Sequence, residues 1–407
     1  MQIGISIDNL HKSDYTPNMI PRKAEAIIHK LSKGFPVVAI TGPRQSGKTT
    51  LAKASFPSKP YITLENPDML ELALDDPKGF LNNYRPKGAV LDEVQRAPQL
   101  LSYLQAIVDE DKEMGAFVLT GSQRFNLLAP TTPSPAGRVG LIELLPFSYE
   151  EIGNRVARLS HLNEWIYKGG YPPLYDRELD AQDWFAGYVM AYLERDIRAI
   201  KNVQDIHLFR LFVRMCAART GQVLNLSSLA NDCGITHNTA RSWASILEAS
   251  YIVFLLQPYY ANLGKRLVKS PKLYFYDTGL ACWLLGIKSA EQINTHSSRG
   301  ALFENMVIAD VMKGYFTIGK RAPFYYYRDS NGTEIDLIIE NGQEVQTVEI
   351  KSGATLNSDY FKSLKKWDQL SKHTSAKTLV YSGDTQLTTH GINVLPWSNK
   401  QLLRPVS

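Results

Sequence analysis

The chain has 407 residues, 44% of them hydrophobic, and a formal net charge of +5. That length predicts two to four domains, each able to bury a core; the mild positive excess permits a nucleic-acid partner without requiring one. The three cysteines, Cys216, Cys233 and Cys282, lie far apart with no C-x-x-C pair, which argues against a disulfide framework or a zinc site and fits a reducing cytoplasm.

Met1 to Asn18 mixes polar and acidic residues with apolar ones, so no signal peptide is expected there, and no apolar run approaches the length of a membrane span. From Pro21 to about Glu150 short apolar runs alternate with helical patterns, which predicts an α/β core. Strands are expected at Val37–Thr41, Tyr61–Leu64, Ala89–Leu91, Phe117–Thr120 and Leu141–Leu144. Directly after the first comes Gly42-Pro43-Arg44-Gln45-Ser46-Gly47-Lys48-Thr49, followed by Thr50 at the start of a helical pattern. The run satisfies G-x-x-x-x-G-K-[ST] in the strand–loop–helix setting that a phosphate-binding loop needs. Its glycines let backbone N–H groups converge on phosphate oxygens, and the helix start adds partial positive charge. Lys48 is placed to reach the β- and γ-phosphates of ATP, and Thr49 to hold Mg²⁺.

A second acidic strand is needed for hydrolysis. Ala89-Val90-Leu91 supplies the buried run, and Asp92-Glu93 sits at its C-terminal end, where α/β folds bind ligands. Asp92 is expected to hold Mg²⁺ through water, and Glu93 to orient or deprotonate the attacking water. Ser122, after the strand Phe117–Thr120, can contact the γ-phosphate or the water. Arg124 and Arg138 are candidate arginine fingers that offset transition-state charge.

These features come in a set order. Ile20-Pro21-Arg22 precedes the loop; Leu64-Glu65-Asn66-Pro67, Leu91-Asp92-Glu93-Val94-Gln95, Leu119-Thr120-Gly121-Ser122, Ala136-Gly137-Arg138, Leu145-Pro146-Phe147-Ser148-Tyr149-Glu150, Gly169-Gly170-Tyr171-Pro172 and Tyr192-Leu193-Glu194-Arg195-Asp196-Ile197 follow it. In this the chain resembles the small bacterial and archaeal AAA+ ATPases with a C-terminal domain of unknown function 4143, although Ser134-Pro135 stands where that family has Ser-Leu. The resemblance runs from Ile20 through nearly the whole chain. It implies an ATPase core, a winged helix and a nuclease-like C-terminal fold. It also implies a homo-oligomer, with a ring of six as the candidate form, because AAA+ sites usually borrow an arginine from the next subunit.

Gly153 to Asn225 is mostly helical in pattern. Leu226 to Trp243 reads as helix–turn–helix, with a tight turn at Gly234, Thr236 as a cap, and His237, Asn238, Thr239 and Arg241 opening the second helix. Tyr251–Leu256 and Leu273–Tyr276 then read as a two-stranded wing whose connection holds Lys265, Arg266, Lys269 and Lys272. Arg241 and these basic residues are expected to meet DNA phosphates. Beyond Ser298, a helix carries Glu304, and Asn331-Gly332 and Asn341-Gly342 turns separate strands. Alternation puts Glu334 with Asp336 on one strand face and Glu349 with Lys351 on one face of the next. This is similar to the PD-(D/E)xK nucleases, which implies Glu304, Asp336 and Glu349 around a metal and Lys351 as a catalytic lysine.

The expected organisation is therefore an N-terminal extension (1–20), a P-loop AAA+ core (21–152), a helical lid or linker (153–225), a winged helix (226–297) and a nuclease-like α/β domain (298–407). The favoured function is an ATPase acting on DNA with an attached metal-dependent nuclease. The alternatives are a nucleotide-dependent DNA- or protein-binding switch whose nuclease fold is inactive, and a protein-remodelling machine. No membrane partner is expected.

Overall fold

The computed structural model describes residues 20–122, 137–152, 161–193, 205–259, 270–320, 323–330, 332–341, 344–370 and 375–399. Its first layer is a parallel sheet of five strands: β1 (Val37–Thr41), β2 (Tyr61–Thr63), β3 (Ala89–Asp92), β4 (Phe117–Gly121) and β5 (Val139–Glu143). They lie in the order β2-β3-β4-β1-β5, so β1 is flanked on both sides. Parallel strands buried on both faces need near-continuous apolar runs, and Val-Val-Ala-Ile-Thr in β1 is buried at every position. Alternate residues serve opposite faces. Val37 and Ala39 join Leu91, Leu119 and the helix Leu100–Asp111 in one core. Val38 and Ile40 join Val90, Val118 and the helices α1 (Glu25–Gly34) and α2 (Lys48–Ser55) in the other.

Most of the rest of the described chain shares one large core, and a smaller one, with Tyr327, Ile338, Leu364, Trp367 and Leu379, lies on the other face of the C-terminal sheet. The large core runs from Leu145 and Phe147 through the helices Leu162–Lys168, Ala181–Tyr188 and Ile206–Ala218 to Trp397. The helix Leu226–Cys233 ends at Gly234 in the left-handed conformation (φ 65°), and the helix His237–Ala249 begins under a Thr236 cap that accepts from Thr239 N at 3.1 Å. A β-carbon is disfavoured at such a left-handed position, so glycine ends the first helix there.

β6 (Val253–Pro258) and β7 (Lys272–Phe275) form the expected antiparallel hairpin, with Leu255 opposite Leu273. The hairpin does not stand apart from the C-terminal strands. β6 also pairs in parallel with β8 (Phe324–Arg328), so the hairpin forms one edge of an eight-stranded sheet, β12-β13-β11-β10-β9-β8-β6-β7. Its remaining strands are β9 (Glu334–Asn341), β10 (Glu344–Lys351), β11 (Ser375–Tyr381), β12 (Leu387–Thr389) and β13 (Ile392–Pro396). The pairs β8/β9 and β9/β10 are antiparallel, as the two Asn-Gly turns predict. The helix Arg299–Phe316 packs on this sheet and holds the segment that follows β5: Asp310 accepts from Tyr149 N at 2.7 Å, and Lys313 donates to Phe147 O at 3.1 Å.

Candidate active site

Gly42 to Thr49 turns from the end of β1 into α2. Gly42 has φ 150°, and a β-carbon there would come within 2.1 Å of Leu144 O, so only glycine lets the loop start this close to the residue that follows β5. Gln45 also takes a positive φ of 59°. Lys48 Nζ donates to Gly42 O (3.1 Å) and Pro43 O (2.7 Å), which sets the ammonium inside the curve of the loop. Arg44 pairs with Glu65 at 3.5 Å, Ser46 is buried, and Thr50 is exposed on α2.

Asp92 ends β3 beneath this loop. Thr49 Oγ1 donates to its two carboxylate oxygens at 3.1 and 3.2 Å, Tyr61 OH donates to Oδ2 at 2.6 Å, and Thr120 Oγ1 donates to Oδ1. Glu93 follows in a left-handed conformation (φ 57°). A non-glycine residue held there costs energy that the surroundings must offset, and such positions gather at functional sites. Burial raises the carboxyl pKa of Glu93, and the nearby Lys48 ammonium works against that rise. Gln95 Nε2 donates to Glu93 Oε2 and, at 3.0 Å, to Ser122 Oγ, so the expected water-activating and γ-phosphate residues are tied together.

The residues present fit a nucleotide triphosphate with Mg²⁺. In the loop the buried Ser46 Oγ has no protein partner and can donate to a phosphate oxygen. Around Asp92 the donors are all hydroxyls, which can also offer lone pairs to a cation.

The C-terminal carboxylates come together differently. Glu349 and Lys351 share a face of β10, with Lys351 Nζ 2.6 Å from Glu349 Oε1 and 3.8 Å from Asp336 Oδ2. Asp336 Oδ2 also accepts from Ile350 N at 2.8 Å. Glu304 takes hydrogen bonds from Tyr274 OH and, at 3.0 Å, from Lys272 Nζ, and Lys272 pairs with Glu334 as well. Burial, followed by the Asp336 charge, pushes the pKa of Glu304 up to about 7 and that of Glu349 up to about 8.

Glu304, Asp336 and Glu349, the expected metal ligands, lie in one cluster together with Lys272 and Lys351. Among the described residues no three His, Cys, Asp or Glu side chains are grouped to hold a metal ion. Lys272 and Lys351 supply the positive charge instead. Lys272 is itself a correction: expected in a phosphate-facing wing, it is 2% exposed and turned into this cluster.

Residues 34–153 match the model of an AAA domain, residues 159–291 a domain of unknown function (DUF8612), and residues 299–399 a domain of unknown function (DUF4143). The uncharacterized proteins Rv2008c of Mycobacterium tuberculosis and Mb2031c of Mycobacterium bovis are each 33% identical over 341 residues, 82% of this chain and 74% of theirs. The chain belongs to the family of AAA-domain proteins with a C-terminal DUF4143 domain. The Walker-type ATPase of Pyrococcus abyssi superposes with a TM-score of 0.46 at 13% identity, over 68% of this chain and 99% of that one, too loosely to carry weight.

Within the AAA domain, the phosphate loop, Asp92, Glu93 and Ser122 lie at one end of the sheet. Arg138 does not join them. It immediately precedes β5, at the opposite end, and its guanidinium holds Asp109, with Nη2 3.0 Å from Oδ2. Arg124, Lys265, Arg266 and Lys269 lie outside the described residues. Arg241 is exposed on the helix His237–Ala249. No described helix is long and apolar enough to cross a membrane.

Several contributors escaped sequence reasoning. Tyr61 shares a strand face with Thr63, which pairs with Asp92, so alternation on two adjacent parallel strands was the available signal. Arg22 donates to Ser46 O (2.7 Å), Leu145 O (2.7 Å) and Glu151 (3.0 Å), and lies over the Phe147 ring, bracing the loop from outside. Its only sequence signal was a position in the ordered set of motifs.

Proposed function

We propose that this AAA-domain protein is a Mg²⁺-dependent ATP hydrolase whose nucleotide state governs a helix–turn–helix module that contacts DNA, with the C-terminal sheet serving as a docking and bracing domain rather than a nuclease. The observation that carries the hydrolase reading is the convergence of Lys48, Thr49, Asp92 and Glu93 at one end of a parallel sheet. Backbone N–H groups of residues 42–49 and the start of α2 would hold the phosphates, with Lys48 on the β- and γ-oxygens. Thr49 and Asp92 would hold Mg²⁺, which offsets charge on the phosphate oxygens when bound. Glu93, kept in place by Gln95, takes the proton of the attacking water, and Ser122 lies within the same hydrogen-bonded set.

The DNA part rests on Arg241 and Asn238, exposed on a capped helix, and on the basic Lys265, Arg266 and Lys269 nearby in the sequence. Lys272 within the carboxylate cluster favours the reading in which the nuclease-like fold does not cleave. A finger role for Arg138 points away from its own chain's site, toward a neighbouring copy in a homo-oligomer.

The test separates binding from hydrolysis. Lys48→Ala should abolish ATP binding. Glu93→Gln should keep binding and lower turnover by about 10²–10⁴-fold. Normal hydrolysis by Glu93→Gln would remove Glu93 from the mechanism. Stimulation of hydrolysis by duplex DNA, lost in an Arg241→Ala variant, is the expected signature of the DNA contact.

A further inference from the structure

The helix His237–Ala249 leaves through Ser250 and Tyr251, where Ile252 N donates back to Leu247 O at 2.9 Å. Tyr251 has φ 57° and is 0% exposed. Glycine is the usual residue at such a left-handed helix exit, because any β-carbon is crowded there. A fully buried tyrosine in that conformation is therefore costly for the backbone, and a phenylalanine would fill the same space. What the tyrosine adds is its oxygen: Tyr251 OH lies 2.8 Å from Thr41 Oγ1, 210 residues earlier in the chain.

Thr41 is the last residue of β1, fully buried, and the next residue is Gly42. Gly42 leaves no room even for a β-carbon beside Leu144 O, and Thr41 O accepts from Leu144 N at 2.7 Å. The phosphate loop is thus held from two sides by residues outside it: Arg22 at Ser46 O, and Tyr251 at the residue that precedes Gly42. The second hold comes from the end of the helix that carries Arg241.

We propose that Tyr251 is a positioning residue for the phosphate-binding loop, its hydroxyl joining the nucleotide site to the exit of the helix His237–Ala249. The proposal rests on the ATP-binding reading of Gly42–Thr49. A shift of the loop's entry on nucleotide binding changes the load on this bond, and by linkage a shift of the helix changes nucleotide affinity to the same degree.

Tyr251→Phe removes one oxygen and keeps the ring, the backbone and the packing against Tyr276. In the full-length chain we expect it to raise the Kd and KM for ATP about fivefold, the size of one net hydrogen bond, with kcat much less affected. Thr41→Val, which removes the other hydroxyl, should do the same, and the double variant should be no worse than either single one. In the native chain ATP should slow amide hydrogen exchange around residues 247–253, and Tyr251→Phe should lose that response; a purely structural role would lower the melting temperature and leave both readouts in place. Unchanged ATP affinity in Tyr251→Phe, or additive losses in the double variant, would overturn the proposal. Failure of the native chain to bind ATP would instead overturn the reading on which it rests.

Discussion

Two acidic clusters sit on two sheets of this molecule, and they are neutralised in opposite ways. At the nucleotide site Asp92 is surrounded by the hydroxyls of Thr49, Tyr61 and Thr120, while the lysine of the loop rests on backbone carbonyls. At the C-terminal cluster Glu304, Glu334, Asp336 and Glu349 face Lys272 and Lys351 directly. A hydroxyl is both donor and acceptor, so it can satisfy a carboxylate and still share that carboxylate with a metal ion. An ammonium group donates only, and brings a full charge of its own. On the proposed reading the first cluster leaves room for a cation, whereas the second already contains ammonium groups of the chain itself. Both place carboxylates at strand positions that suit metal chemistry, and the difference lies in what the neighbouring elements bring to them.

The sharpest way to break this comparison is to remove the internal cation. Lys272 is buried and serves Glu304 and Glu334 at once, so Lys272→Ala leaves Glu304 with the neutral Tyr274 hydroxyl and Glu334 with the half-exposed Arg328, and should cost about 3–5 kcal/mol of stability, read by urea unfolding. Lys272→Met, which keeps the bulk, should also be destabilised and should show no Mn²⁺-dependent rise in melting temperature. A Lys272→Met protein as stable as the native one that gains such a rise would make the cluster a metal site covered by a lysine, and the contrast with Asp92 would vanish.

A smaller effect tests how completely the lysines balance the cluster. The raised pKa values of Glu304 and Glu349 mean that the folded chain binds more protons than the unfolded chain between about pH 4.5 and pH 8. Stability rises with pH only where the unfolded state binds more protons, so this cluster's contribution is greatest at the acidic end and falls as pH climbs through about 7 to 8. Glu349→Gln should flatten that slope in unfolding measured at intervals from pH 5.5 to pH 8.5. The same slope in both proteins would mean that Lys351 fully compensates Glu349 and that no extra proton is held.

The two clusters also differ in how far the sequence revealed them. The phosphate loop is a local object: a five-residue apolar strand, two glycines and a helix start all fall within one short stretch, so spacing alone located Lys48 and Thr49. Asp92 and Glu93 were legible for the same reason, as the acidic end of an apolar run. Tyr61 and Thr120 were not, because their contact with Asp92 depends on the lateral order β2-β3-β4, which local patterning leaves open. The C-terminal strands were readable, and so was the shared face of Glu349 and Lys351. Lys272 was misread because it follows a basic stretch that looks solvent-facing. Its burial arises from the parallel pairing of β6 with β8, which carries the hairpin to the edge of the C-terminal sheet and sets Lys272 against Glu304. The place of Arg138 was hidden for a related reason: it lies close to the motifs in sequence but at the entry end of a parallel strand, whereas the phosphate loop lies at the exit end.

The smallest expected effect probes the neutral donors themselves. Tyr61 OH reaches Asp92 Oδ2 at 2.6 Å, and burial together with Asp92 holds the phenol pKa above its usual range, so it stays a donor at any working pH. Tyr61→Phe keeps the ring beneath Lys53, whose Nζ lies 3.7 Å from the ring centroid, and deletes only that hydrogen bond. Thr49 and Thr120 remain on the carboxylate, so the loss should be near 1 kcal/mol, about fivefold. If Tyr61 fixes the carboxylate for Mg²⁺, that loss appears as a higher Mg²⁺ concentration for half-maximal hydrolysis, with ATP affinity in the absence of Mg²⁺ unchanged. If it only satisfies a buried carboxylate, the loss appears in unfolding and the Mg²⁺ dependence stays where it was. The second result would reduce the contrast between the clusters to one of charge balance, because hydroxyl donors would then be doing for Asp92 no more than Tyr274 does for Glu304.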